Sequence, residues 1–124
     1  MRRERKRTAV VPRMKLWLSS AEAEGIFGDG KWRLLGAVEQ QGSLSAAAAA
    51  LKMSYRKAWG DLRKAEACLK IALIEKHRGG RAGGKTDLTD AGKKWLSAYS
   101  RFRSDAEKAV ARAYEKHIRS LLRQ

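Results

Sequence analysis

The segment Gly42 to Ala65, GSLSAAAAALKMSYRKAWGDLRKA, constrains this chain more than any other stretch. It contains five consecutive alanines, Ala46 to Ala50, in a short helical run that Ser43 can cap. Isolated helices shorter than ~12–15 residues are marginal in water, so another element must pack on this one. Leu44, Ala47, Ala48 and Leu51 fall at i, i+3, i+4 and i+7 and form its apolar stripe. After the turn Lys52-Met53-Ser54, a second capping serine opens a helix with Ala58, Trp59, Leu62, Ala65 and Leu69 on one side. Turning that stripe inward leaves Tyr55, Arg56, Lys57, Gly60, Arg63 and Lys64 outward or flanking it. Two short helices that cross on alanines, the second with a basic outer face, make a helix-turn-helix whose second helix can enter a major groove.

The charge balance points the same way. Lys and Arg number 28 against 13 Asp and Glu among 124 residues, a net charge of +15, which implies a polyanionic partner. Double-stranded DNA leads, and an anionic membrane surface trails. No run approaches the ~18 apolar residues of a membrane span, and the start MRRERKRTAVVPR has no signal-peptide core, so no membrane partner and a cytoplasmic location are expected. Cys68 stands alone, which excludes an internal disulfide, and reads as a small buried helix residue. Residues 1–13 carry a net +5 and little to bury, so they read as a flexible basic arm, either reaching onto nucleic acid or simply solvated.

Around this centre the chain reads as a compact series of elements. In RMKLWL, Met14, Leu16 and Leu18 alternate with Lys15 and Trp17, a short strand pattern. Glycine-punctuated loop follows, and then Lys31 to Gln41 places Trp32, Leu34, Leu35 and Val38 at helical spacing before the stop at Gly42. Beyond the two central helices, Ile71 to His77 is apolar and β-prone, RGGRAGGK is a mobile tip, and TDL can return as a second strand. That hairpin is a wing, with Arg78, Arg81 and Lys85 suited to lie along phosphates. Thr89 caps a last helix, and Asp90 is favourable at its positive end.

The order strand, helix, GSLSAAAAAL, MSYRKAW, ALIEKHRGGRAGGKTDLTDAG resembles the N-terminal winged helix-turn-helix of the ModE family of molybdenum-responsive regulators, related to the LysR-type DNA-binding domain. The resemblance covers about residues 14–100. It implies DNA binding and transcription regulation, with repression as the expected sense. Full-length members carry further domains that bind molybdate. Residues 14–124 are nearly filled by the DNA-binding unit and its last helix, so no domain for a molybdate or tungstate effector is expected here.

Other patterns point to no chemistry. Gly79, Gly84, Lys85 and Thr86 match the phosphate-cradling G-x-x-x-x-G-K-[ST], but TDLT stands where that loop requires a helix, and the chain cannot hold a parallel sheet. His77 and His117 are too isolated for a metal site or a proton relay and read as surface residues, so no enzyme activity, metal or cofactor is expected. Of the four tryptophans, Trp32, Trp59 and Trp95 fall on apolar stripes and read as packing residues, whereas Trp17 does not. Tyr55 suits either a phosphate hydrogen bond or a core contact.

From Asp90 the last helix can run to about Leu122, close to ~50 Å, and overhang the domain. Trp95, Tyr99, Phe102, Ala106, Ala109 and Ala113 repeat at an average near 3.5 residues, with Val110, Ile118 and Leu121 continuing the apolar side. A partner helix is expected to cover it, from a second copy in a homodimer or, alternatively, by folding back on its own domain. The sequence therefore predicts a mainly α fold with a small β-hairpin wing: arm 1–13, winged helix-turn-helix 14–90, dimerisation helix 91–124. Its candidate DNA contacts are Ser43, Ser45, Ser54, Tyr55, Arg56, Lys57, Gly60, Arg63, Lys64, Arg78, Arg81 and Lys85. The expected mode is sequence-specific reading of a palindromic operator, and the rival is a sequence-tolerant architectural DNA- or RNA-binding protein.

Overall fold

Local capping chemistry sets the helices. In the computed structural model, which describes residues 9–77 and 84–123, β1 (Trp17–Leu18) and β2 (Phe27–Gly28) precede helix α1 (Asp29–Gln41). There follow α2 (Leu44–Ala50), α3 (Tyr55–Leu69), β3 (Ile74–His77), β4 (Lys85–Leu88), α4 (Asp90–His117) and α5 (Arg119–Leu122). Ser43, Ser54 and Thr89 cap α2, α3 and α4, their hydroxyl oxygens accepting from the N–H groups of Ala46, Lys57 and Gly92. Each such cap contributes about 1 kcal/mol. Gly42 ends α1 at φ 75°, a left-handed conformation glycine adopts without the strain of a Cβ. Lys52 takes a similar φ of 57° and turns the chain between α2 and α3.

The alanine run does what a close helix crossing requires. Ala47 and Ala48 of α2 and Ala58 and Ala65 of α3 are buried, together with Leu44 and Leu62. Phe27, Leu34, Leu35 and Val38 fill the core from the first half of the chain, and Leu73, Ile74, Leu88 and Tyr99 from the second. The wing is an antiparallel pair with Ile74 opposite Leu88 and His77 opposite Lys85. Its root is tied to the helix-turn-helix twice: the Thr86 N–H donates to Gly42 O at 2.9 Å, and the Leu44 N–H donates to the Thr86 hydroxyl at 3.2 Å. Thr86 is therefore a core residue on a strand, where a phosphate-cradling loop would open a helix.

Three expectations are corrected. The N-terminal strand is shorter than its pattern, with only Trp17–Leu18 paired to β2, although Met14, Leu16 and Leu18 are half-buried and Lys15 and Trp17 exposed as the alternation requires. Upstream, Leu16 meets Asp29 twice: its C=O accepts from the Asp29 N–H at 3.0 Å, and its N–H donates to the side-chain Oδ2 at 3.1 Å. The last helix breaks at Ile118, so α4 spans 28 residues, about 42 Å, and the short α5 follows. Cys68 is exposed, because it sits four residues after Lys64 on the outer flank of α3.

Candidate nucleic-acid interface

Helix α3 buries Ala58, Leu62 and Ala65 and leaves Tyr55, Arg56, Lys57, Gly60, Arg63 and Lys64 exposed. Opposite the buried line, Arg56, Gly60 and Arg63 run at i, i+4 and i+7 along the outermost row. Gly60 has no packing reason: its φ is not positive, and a Cβ built there meets nothing within 4 Å. Lys57 Nζ lies 3.0 Å from Asp61 Oδ2, while Arg63 lies 3.6 Å from Glu66 and 5.2 Å from the Trp59 ring centre. Ser45 is exposed on α2, and Ser43 and Ser54 use their oxygens as caps, which leaves each hydroxyl proton free to donate. Lys31 of α1 donates to Gly25 O at 3.0 Å. Burial pushes its ammonium below the usual lysine range, and the nearby Asp61 opposes that shift.

The wing is held against this helix by side chains. Glu66 Oε2 accepts from the N–H groups of Leu73 at 2.8 Å and Ile74 at 3.3 Å, which pins the start of β3 to α3. Further along β3, Lys76 Nζ lies 4.1 Å from the Trp59 ring centre and 4.7 Å from that of Tyr55, and it donates to the Tyr55 hydroxyl. Tyr55 is thus exposed and faces the wing. Lys85 is exposed at the start of β4, and Arg78 and Arg81 lie outside the described residues. Lys76 escaped the sequence reading because it sits inside a strand pattern, and only the fold brings it to α3.

The apolar stripe of α4 divides between the core and solvent. Tyr99, expected to face a partner helix, is 2% exposed, with its ring 5.1 Å from Phe27 and 5.8 Å from Trp32. Its hydroxyl lies 2.8 Å from both Asp29 Oδ1 and Leu16 O, so Tyr99 belongs to its own domain and is not available to a second copy. Trp95 is half-buried 5.0 Å from Phe27. Further along, Ala106, Val110 and Tyr114 are half-buried, and Phe102, Ala113, Ile118 and Leu121 are exposed. The N-terminal segment explains the covered edge. Tyr114 donates to Val10 O at 2.7 Å while Tyr99 reaches Leu16, and an extended six-residue step of about 20 Å matches fifteen helical residues at about 22 Å.

Asp29 is the buried charge at this junction. Arg103 Nε lies 2.8 Å from its Oδ1, and the two side chains are 14% and 11% exposed. Burial raises the Asp29 carboxyl, but bonds from Arg103, Tyr99 and the Leu16 N–H, with the Arg103 charge, outweigh it and hold the group below its usual range. Burial, then the hydrogen bond to Asp29, pushes the Tyr99 hydroxyl well above its ordinary value. Among the described residues no cluster of His, Cys, Asp and Glu could hold a metal ion, and no helix is long and apolar enough to cross a membrane.

Comparison with known proteins fits this geometry. Over 88 residues the chain is 33% identical to the molybdenum transport protein ModE of Azotobacter vinelandii, covering 71% of this chain and 33% of that protein. Over 85 residues it is 34% identical to the molybdenum-pterin-binding protein MopB of Rhodobacter capsulatus, covering 68% of this chain and 31% of that one. The chain thus spans about a third of the length of these curated relatives. Among solved structures, the DNA-binding domain of CbnR in complex with DNA matches 70% of this chain and 94% of that one, at 26% identity and a TM-score of 0.58. Full-length CbnR complexed with its target DNA matches 68% of this chain at a TM-score of 0.55. The family described as "Bacterial regulatory helix-turn-helix protein, lysR family" matches residues 30–93, and the chain belongs to that family of DNA-binding transcriptional regulators.

Proposed function

We propose that two copies of this protein read a palindromic operator, each placing α3 in a major groove with its wing along neighbouring phosphates, and that they repress genes of molybdate handling by occluding a promoter. The observation that carries the reading is the outer row of α3: Arg56, Gly60 and Arg63 are exposed and unpacked on a helix whose opposite face is wholly committed to the core. An arginine on such a row can bond a guanine edge with two donors. Around the row, Ser43, Ser45, Ser54, Tyr55, Lys57, Lys64 and Lys85 supply hydroxyls and ammonium groups to the flanking backbone, together with Arg78 and Arg81.

The link to molybdenum rests on the names of relatives such as the molybdenum transport protein ModE of Herbaspirillum seropedicae, which is 41% identical over 66 residues. Dimerisation is supported by the surface. Of the eight large hydrophobic residues exposed among the described ones, all but Tyr55 lie on the N-terminal segment, β1, α4 and the α5 end. Trp95, Phe102, Ala106, Val110, Ala113, Ile118 and Leu121 are the proposed contacts.

Selection of bound fragments from genomic DNA, with and without molybdate, tests the whole reading. A shared palindromic site upstream of molybdate-handling genes supports it. Fragments without a common sequence, bound no more tightly than random duplex at fixed salt, favour the sequence-tolerant alternative, since a specific site gains ~4–10 kcal/mol over random DNA.

A further inference from the structure

We propose that Tyr55 and Lys76 together form a binding site for one phosphate of the DNA backbone, placed where the recognition helix meets the wing. The inference rests on the DNA-binding role above. The site is composite: Tyr55 opens α3, Lys76 lies on β3, and the ammonium donates to the tyrosine hydroxyl. A hydroxyl oxygen that accepts this bond keeps its own proton for another acceptor, and an ammonium has three donors, of which two remain. The pair therefore offers an O–H, two N–H groups and a full positive charge to one oxyanion.

Two features fit this lysine to an anion. Lys57 and Arg63 have carboxylates at 3.0 and 3.6 Å, whereas Lys76 has no carboxylate partner among the described residues. Its charge is uncompensated where it meets α3. Second, Lys76 is already ordered: the Trp59 ring at 4.1 Å holds its ammonium by cation–π attraction, the Tyr55 hydroxyl accepts from it, and Glu66 fixes the root of the same strand. A long side chain held in place before binding loses less entropy on contact.

The chemistry selects a phosphate over a base edge. An ammonium is a point charge without the planar fork that reads guanine, and a phosphate oxygen accepts from several donors at once. The position agrees, because Tyr55 lies in the first turn of α3, where the helix dipole also favours an anion. Trp59 then supports the site from below: its ring packs partly against the core and carries Lys76 on its open side.

Binding to a short duplex of arbitrary sequence, measured across a salt series, tests the site, because a phosphate contact needs no particular operator. Steep salt dependence of the unaltered protein first confirms DNA binding itself, so failure there is separate from failure of this inference. Lys76→Gln should lower the salt slope by about one unit, and Lys108→Gln, an exposed change on α4, should leave it as it was. Tyr55→Phe keeps the ring beside Lys76 and removes only the hydroxyl. It should weaken binding roughly tenfold with the slope unchanged, since no charge is lost. Melting temperatures of both variants should match the unaltered protein. If Lys76→Gln weakens binding without changing the slope and Tyr55→Phe binds normally, Lys76 merely positions the wing and the site is overturned.

Discussion

The Tyr99 hydroxyl and the Asp29 carboxylate, 70 residues apart in sequence, meet at 2.8 Å and join α4 to α1. Arg103 closes the group from the next turn of α4, and Leu16 ties in the N-terminal segment. A buried ion pair is expensive to break, because removing one partner leaves the other uncompensated.

Asp29→Asn should therefore lower stability by about 3 kcal/mol and the melting temperature by roughly 10 °C or more. Tyr99→Phe, which removes one bond to a charged acceptor, should cost about 1.5 kcal/mol. The pH dependence has a definite sign. The folded carboxyl titrates below its ordinary value near 3.8, so between the two values the unfolded chain binds more protons. Its stabilisation is complete above about pH 4 and is lost as the pH falls through the lowered value. Asp29→Asn should flatten that acid limb in denaturant titrations; an unchanged limb would show that other carboxylates set it.

Gly60 should reveal a conflict between stability and binding. An interior helical glycine costs roughly 0.5–1 kcal/mol relative to alanine, and no neighbour within 4 Å of a built Cβ explains its presence. Gly60→Ala should raise stability by that amount. On the outermost row of α3, however, the added methyl should hold the helix away from a base edge and weaken operator binding, with a smaller effect on random DNA. A variant that is more stable and binds equally well would remove Gly60 from the interface.

Arg56 and Lys57 are adjacent, yet they should behave differently. Lys57 is engaged by Asp61 at 3.0 Å, whereas Arg56 sits on the open row. Arg56→Ala should cost about 1–3 kcal/mol of operator affinity and relax the preference at one base pair. Lys57→Ala should cost less and weaken all sequences alike. Equal, sequence-independent losses from both variants would assign Arg56 to the backbone.

The helix caps, the alanine crossing and the wing strands could be read from the sequence because each depends on residues within one or two turns. Ser43, Ser54, Thr89 and Gly42 act where local pattern places them. Tyr99 could not be read that way. Its spacing fixes the face of α4 it occupies, but not whether that face meets its own domain or a second copy. Asp29 and Arg103 stand 74 residues apart, and no short-range signal pairs them. Lys76 is the same case at the interface: an unremarkable strand residue until the wing folds against Trp59.

The structure also changes how the dimer should be tested. Cutting the chain after Tyr99 would remove Arg103 and strand the Asp29 charge, so loss of binding there would report misfolding. Cutting after Glu107 keeps Arg103 with both carboxylates it touches, Asp29 and Glu107, while deleting Val110, Ala113, Ile118 and Leu121. Sedimentation of the full chain should report about 28 kDa, twice its 13.9 kDa mass, and the shortened chain should be monomeric with its fold intact. Operator affinity should then fall sharply, because the second half-site no longer binds at the effective concentration a dimer supplies. Random-duplex affinity should fall much less, since each copy keeps its own basic surface. A full-length monomer at micromolar concentration would exclude the α4 pairing. A shortened chain that still dimerises would move the interface to the exposed Trp17 and the N-terminal segment beside it.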